Sequence, residues 1–538
     1  MLVELIENIL DLKGCCFSVT KINAWLNKPL NLKVFFGLVI SIAVACLGRF
    51  IFCDIYDNDM YFIIATGREI MENGIITTNV WSIYPDLKLV AQQWLYAVCL
   101  AFFDQFGTIG IVSFFVIEFS ILCVVLMHFF SLKLGKGHVM LKLLLMAFVI
   151  VFSQRYLFCV RPELLTMILL LVDCIALEHF MRSNNKMWLS LLPIMMLIEI
   201  NIHASMWVMH FAVILAYVVP IKFLPGVSTN ELYKKWKSLL VMILFMIGAM
   251  FVNPYGVDAI LYVIKSFVAD TFSYVNIIEV KQPIFISETG VLVVVLVSAL
   301  IANYKTKVLN TITLNMTLGI LAMMLFASRN MMFVILPITL LFANLGEYLI
   351  SENHVMKDWK KDVDNSILLL LVPTLCIFCL DTISAIQPFV TSHVNLRNMN
   401  QNLYSIHQYL DDVVTDDSRI FTGFNCGAYF EYMGYHNLYM DARPEVYTLE
   451  LNGKYDVLAD YSKYCLKGVS LDSDGESVSY ATKADIDAWF DDCAFDYVVV
   501  SLTSETYFAA YMALRDDYKD SGIAVKNNVQ EYILYEKV

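Results

Sequence analysis

About eleven apolar stretches leave this chain few ways to fold, because each approaches the roughly 20 residues a helix needs to cross a hydrocarbon core. They fall near residues 32–53, 108–131, 139–158, 163–181, 187–203, 205–222, 237–253, 288–304, 309–327, 330–349 and 365–388. A bilayer core offers no water to an unpaired backbone group, so such stretches must be helices that satisfy their own hydrogen bonds. The expected architecture is therefore mainly α, a polytopic transmembrane helical bundle over residues 32–390. Residues 1–31 carry Lys13, Lys21 and Lys28 and no cleavage-site pattern, which reads as a cytoplasmic amphipathic lead-in to an uncleaved anchor.

Charge divides the chain a second way. Only 16% of residues are charged and 59% are apolar, against roughly 25% and 45–50% in soluble domains. Residues 401–538 hold 24 acidic and 10 basic side chains, a net of −14, and the remainder holds 26 and 27, a net of +1. A nearly neutral body thus carries an acidic tail, which argues against nucleic acid as a partner. Over residues 395–538, "SRIFTGF", "NLYMDA", "FDYVVVSL" and "EYILYEKV" read as strands, and "KADIDAWFDD" and "ETYFAAYMALRDDY" as helices, giving a soluble α/β domain. Cys426, Cys465 and Cys493 in this tail leave room for one disulfide, and no Cys or His pattern outside the apolar spans has metal-site spacing.

Basic residues recur on alternate connectors: Lys133, Lys136 and Lys142; Arg182 and Lys186; Lys222, Lys234, Lys235 and Lys237; Lys305 and Lys307; Lys357, Lys360 and Lys361. The positive-inside rule makes that side the cytoplasm, so the expected protein is a multi-pass plasma-membrane protein with a cytoplasmic N-terminus and an extracytoplasmic tail. The opposite connectors carry "DIYDNDMY" (54–61), "RYLFCVRPE", "EINIHASMW", "VNPYGVD", "IIEVKQP" and "SRN". Charges kept at span ends are functional candidates, although ordinary loops are the bland alternative. Two outer segments, 54–107 and 256–286, are too long for turns and carry helix-period apolar positions. No spacing for a phosphate-cradling loop is present, which argues against ATP-driven transport.

"DNDMYFIIATGREIMENGIITTNVWSI" followed by "VAQQWL" resembles the first outer loop of a bacterial membrane-protein family related to the GT-C glycosyltransferases. The matching positions are Asp57, Asp59, Gly67, Ile70, Gly74, Asn79, Ser82, Trp94 and Leu95. "RPELLT", "NIHASMW", "NPYG", "IIEV", "SRN" and the tail stretch "GFNCGAYFEYMGYHNLYMDARPEVY" resemble its later motifs in the same order. The sequence departs from the pattern at Ile63, where many relatives carry histidine, and at Gln93, where they often carry an acid. The resemblance implies a GT-C-type bundle, a polyprenyl-phosphate sugar donor, membrane lipid around it, and an envelope glycan, lipid or protein as acceptor. It implies no certain cofactor, since some GT-C enzymes use a divalent cation and others do not.

Inverting transfer at such a site needs a carboxylate to take the acceptor's proton and a positive group on the departing phosphate. Asp57 and then Asp59 fit the first role, with Asp54 able to share a helical face with Asp57. Arg161 and Arg329 fit the second through bidentate pairing, or are interfacial snorkelling residues. Glu163 could orient Arg161; His203, with Glu199 one turn before it, could polarise the acceptor or hold the base; Glu279 is a weaker second carboxylate. Asn253-Pro254-Tyr255-Gly256 reads as a helix stop, and Asp441 with Arg443 as a buried pair. Two other readings stay open, a transporter or flippase of a lipid-linked saccharide and an inactive scaffold of an envelope-synthesis complex. The first would show inverted repeats and mid-span charges.

Overall fold

In the computed structural model the described residues are 58–135, 142–143, 145–146, 149–150, 159–219, 234–268, 288–326, 328–351, 401–466, 482–523 and 531–538. The spans expected at 32–53 and 365–388, and most of that at 139–158, lie outside them, as do Asp54, Asp57 and Glu279.

The first described helix, α1 (Asn58–Asn73), begins with Asp59 in its first turn, where the helix dipole favours a carboxylate, and ends at Gly74, whose φ of 84° a side chain would resist. Helix α2 (Trp94–Asp104) packs back along α1. The approach is tightest at Gly67, where a Cβ would sit 2.0 Å from the Ala97 carbonyl oxygen. Gly67→Ala is therefore expected to force the two helices apart at a cost of about 1–3 kcal/mol. Thermal unfolding of the purified variant checks it, and an unchanged midpoint would contradict the tight approach.

Helix α3 (Gly107–Leu134) follows, then α4 (Glu163–Ser183), α5 (Leu191–Ile202), α6 (Trp207–Val218) and α7 (Trp236–Met250). After α8 (Val257–Val268) come α9 (Glu288–Lys305), α10 (Thr311–Phe326) and α11 (Ile335–Ser351). Among the described residues three stretches are long and apolar enough to cross a membrane: Gly107–Leu134, Glu163–Ser183 and Asn330–Tyr348. Shorter apolar helices lie at Trp94–Asp104, Ala204–Val218, Trp236–Met250, Val293–Lys305 and Thr311–Met324. Apolar side chains also cover outer faces: Ile117, Ile121 and Val124 on α3, and Leu240, Leu244 and Phe245 on α7, are exposed as a lipid-facing surface would be. Helix α4 is buried almost all round, packed on α3, α5, α6 and α11.

Residues 401–538 form a four-stranded mixed sheet in the order β1-β2-β4-β3, with β1 (Ile420–Phe421), β2 (Tyr497–Ser501), β3 (Tyr518–Asp520) and β4 (Tyr532–Lys537). β1 runs parallel to β2, and β4 pairs antiparallel with β2 and β3. The helices α12 (Gln401–Val413), α13 (Gly427–Tyr432), α14 (Lys483–Cys493) and α15 (Thr506–Met512) surround it. "NLYMDA" is not a strand. Its Leu438 instead bridges β1 at Ile420 and the segment between α1 and α2 at Ser82, with backbone bonds to Trp81 and Ile83 of 2.7 and 2.9 Å. Cys426, Cys465 and Cys493 are buried free thiols, so the disulfide left open by the sequence is absent among the described residues.

One buried carboxyl makes this unit pH-sensitive. Glu505 accepts from the Tyr461 hydroxyl at 2.6 Å and from the Ser501 backbone N–H at 2.8 Å. Burial pushes its carboxyl up to about 7 from the usual 4.5. A raised folded value means the native chain binds the extra proton, so this stability is complete below about pH 4.5 and lost as pH climbs through 7. At about 1.4 kcal/mol per pH unit the window is worth roughly 3 kcal/mol. Glu505→Gln should flatten the fall in melting temperature between pH 5 and 8, and an unchanged slope in the variant would refute this origin.

Candidate functional site

The same face of α1 carries Asp59, Ile63 and Thr66, spaced four and three residues apart. At its outer end Asp59 Oδ2 lies 3.1 Å from Arg161 Nη1, both side chains partly exposed. Arg161 sits just before α4, and Glu163, in the first turn of α4, is buried. The two sequence candidates most distant from each other in role, the carboxylate and the phosphate-binding arginine, thus meet directly.

Beside them, Ile63 and Thr66 help line a cavity of about 50 Å³ with Gln92, Gln93, Tyr262, Arg443 and Glu445. Its walls come from α1, the 89–97 segment, α8 and the tail. The Tyr262 hydroxyl is hydrogen-bonded to Glu445 and Gln92. Buried Oε1 atoms of Gln92 and Gln93 have no partner among the described residues, and such oxygens suit a ligand that brings hydrogen-bond donors. Both departures from the family pattern, Ile63 and Gln93, are in this wall.

The tail closes the cavity through a buried ionic cluster. Arg443 donates to Asp441 at 2.5 and 3.0 Å and to Glu431 at 2.7 Å, and its guanidinium lies over the rings of Phe62 and Trp81 at 5.2 and 5.4 Å. The Tyr447 hydroxyl donates to Asp441 at 2.7 Å and accepts from Asn79 at 3.1 Å. Burial lifts the Glu431 carboxyl well above the usual carboxylate range. Burial also works against ionised Asp441, but the Arg443 guanidinium outweighs it and holds that carboxyl below its ordinary value. Tyr61 stacks edge-on to Tyr429 at 5.4 Å, and Arg68 bonds Asp104 at 2.5 Å while covering Tyr432. The pairing of Asp441 with Arg443 is as the sequence suggests, and Arg443 holds α1 and Trp81 as well as the tail.

Behind the cavity, the Gln92 carbonyl accepts from the Ala204 N–H at 2.9 Å, and Trp94 Nε1 donates to Asn201 at 3.0 Å. His203, at the end of α5, is buried with Nδ1 2.9 Å from the Thr166 hydroxyl, which also donates to Glu199 at 2.8 Å. Glu199 continues to His210, 3.5 Å away, and His210 Nδ1 meets Asp173 at 2.6 Å. Arg329 lies in a short 3₁₀ turn (Ser328–Val334), and its side chain is outside the described residues. Among the described residues no group of three or more His, Cys, Asp and Glu could hold a metal ion.

Several motif residues prove to be scaffold. Asn79 accepts from the Trp81 N–H at 3.1 Å and Ser82 from the Tyr84 N–H at 3.2 Å, the side-chain turns that explain their spacing. Asn253 accepts from the Tyr255 N–H at 2.8 Å and caps α7 through the Met250 carbonyl at 2.7 Å, the expected helix stop. Charges are not confined to span ends: Glu118 in α3 and Asp173 in α4 are buried in mid-helix. A search by connector passes over them because each is isolated in an apolar run, as it does Thr166 and His210.

No family model and no curated protein matches the chain. Among solved structures, ArnT from Cupriavidus metallidurans in the apo state is similar at a TM-score of 0.55 with 10% identity, covering 94% of this chain and 98% of that one. The same protein bound to undecaprenyl phosphate aligns at a TM-score of 0.52 and 11% identity, over 93% and 98%. At these identities what is shared is the fold, over nearly the whole of both chains, and this bears out the expected relation to the GT-C-type architecture.

Proposed function

We propose that a chain with this fold is a membrane glycosyltransferase that moves a sugar from a polyprenyl-phosphate donor to an envelope acceptor at the extracytoplasmic surface. The observation that carries the reading is the Asp59–Arg161 pair, one helical turn along α1 from Ile63, which lines the cavity. The similarity to ArnT, solved with undecaprenyl phosphate, supports the donor class.

In the reaction the bond from the sugar's anomeric carbon to the phosphate oxygen breaks, and the acceptor's hydroxyl oxygen bonds to that carbon. The hydroxyl proton passes to an aspartate of the first outer loop, Asp59 or Asp57, and polyprenyl phosphate departs with the electron pair. Arg161 neutralises the leaving phosphate. An arriving phosphate competes with Asp59 for the guanidinium, so donor binding itself would release Asp59 to act as base. Arg329 is the second phosphate ligand in this reading, and Glu163 orients Arg161. The orphan oxygens of Gln92 and Gln93 receive acceptor hydroxyls.

Binding of polyprenyl phosphate to nanodisc-embedded protein tests the donor assignment. Wild type should bind and Arg161→Ala should bind at least tenfold more weakly; equal binding would remove Arg161 from the site. The mid-helix Glu118 and Asp173 favour a second reading, a transporter of lipid-linked saccharide. That protein would move the donor across the bilayer with its glycosyl phosphate bond intact.

A further inference from the structure

β1 and β2 run parallel, so their carboxyl ends lie side by side. β1 leads into "TGFNCG" (422–427), and β2 ends in "SLTSETYFAA" (501–510). Residues 401–538 carry 24 acidic and 10 basic side chains, yet these sixteen residues hold one, Glu505, and it is buried.

Glu505 ties the two loops together from beneath. Its Oε2 accepts from the Ser501 N–H at 2.8 Å and its Oε1 from the Tyr461 hydroxyl at 2.6 Å, and the Phe424 N–H donates to that hydroxyl at 3.4 Å. A Cβ on Gly423 would collide with the same Oε1, so glycine is required where the loops approach. Above this floor the surface is neutral. Asn425 Nδ2 donates to Ser504 Oγ at 3.1 Å across the gap, which leaves the Asn425 amide oxygen and the Ser504 hydroxyl proton for a ligand. Tyr507, three residues after Ser504, is 58% exposed. The crevice adjoins the start of α1, where Asn58 Nδ2 lies 3.5 Å from the Phe424 carbonyl, one residue before Asp59.

We propose that this crevice is an acceptor subsite and that the acceptor is a neutral glycan chain, an assignment that rests on the transferase reading above. A sugar ring offers an apolar C–H face with hydroxyls around its edge. The Tyr507 ring suits the face, and Asn425 and Ser504 supply one acceptor and one donor for the hydroxyls. An anionic ligand finds no countercharge in these loops, and an acyl chain would leave the amide and hydroxyl unpaired. The carboxyl ends of parallel strands are also where open α/β sheets hold their ligands. With its reactive hydroxyl at Asp59 or Asp57, the glycan lays its further units along the crevice. The tail thereby selects the acceptor, and the membrane helices handle the donor.

Saturation-transfer NMR of the full chain in nanodiscs tests the crevice with no donor present, using maltohexaose, mannohexaose, xylohexaose and chitohexaose as probes. Wild type should bind at least one of them, and Arg161→Ala should bind it equally. Tyr507→Ala and Asn425→Ala should each bind it roughly tenfold more weakly, while Tyr507→Phe, which keeps the ring, should retain most of the affinity. Both side chains are exposed, so an unchanged melting temperature certifies the fold of each variant. No oligosaccharide bound by wild type, or undiminished binding in either alanine variant, would overturn the proposal. Turnover is the second arm: Tyr507→Ala should raise the acceptor KM roughly tenfold with the donor KM and kcat unchanged. A lowered kcat at unchanged acceptor KM would overturn the subsite. Oligosaccharide bound without turnover of any donor would remove the transferase reading and leave a glycan site standing; turnover with no oligosaccharide bound would do the reverse.

Discussion

Arg443→Met should destabilise the protein by about 3–5 kcal/mol, the cost of removing one partner from a buried ionic cluster. The guanidinium lies among Asp441, Glu431 and Tyr447 and beneath Phe62 and Trp81, so methionine can replace its packing but none of its charge. Glu431 is lifted by burial, and Asp441 loses the guanidinium that holds its buried carboxyl down, keeping as donors the Tyr447 hydroxyl and the backbone N–H of residue 443. Lysine should rescue little, because a single ammonium cannot repeat the fork that spans both carboxylates. Since Arg443 also reaches Thr66 at 3.4 Å, the first loss should be the grip of the tail on the outer loop. Equilibrium unfolding in detergent, with limited proteolysis between residues 75 and 93, reads both effects. A variant as stable and as protected as wild type would contradict the clamp.

The second large effect is catalytic. Asp59→Asn and Arg161→Ala should each lower turnover by about 10²–10⁴-fold, the span that general acid–base and charge-stabilising groups contribute. An asparagine in place of Asp59 would keep the size of the side chain but neither the charge that holds Arg161 nor the capacity to take a proton. Because the two groups act as a unit, the double variant should be little worse than the poorer single one. Asp57→Asn sorts the bases: whichever aspartate variant loses turnover while keeping donor affinity carries the proton. Additive losses would mean that the two side chains serve unrelated purposes.

Much of the architecture was legible because apolar runs have one solution in a bilayer. The helices Gly107–Leu134 and Glu163–Ser183 lie where the apolar lengths put them. Gly74 and the Asn253 turn end α1 and α7 as their residue types require. "FDYVVVSL" and "EYILYEKV" became paired strands because their β-branched and aromatic residues are dense enough to declare themselves, whereas "NLYMDA" bonds to a partner some 350 residues away that no local pattern announces.

Site residues were readable where charge broke an apolar pattern. Asp59, Arg161, His203 and Glu199 stood out for that reason, and Asp59 does meet Arg161. Two further features needed three dimensions. Thr166 is unremarkable in sequence, yet it joins Glu199 to His203. Likewise Ile63 and Gln93, separate departures from a motif, share one cavity wall with Arg443 from the distant tail. Under the proposed function, their apolar and neutral character suits a cavity that binds a hydroxyl-rich acceptor and leaves proton transfer to Asp59 or Asp57.

The most direct test of the account follows sugar release from a panel of polyprenyl-phosphate donors by purified wild-type protein in nanodiscs, with Asp59→Asn and Arg161→Ala in parallel. At least one donor should yield polyprenyl phosphate and a glycosylated acceptor, with Asp59→Asn retaining donor binding and losing turnover. Donor bound by wild type but never cleaved, whatever acceptor is supplied, would contradict the transferase.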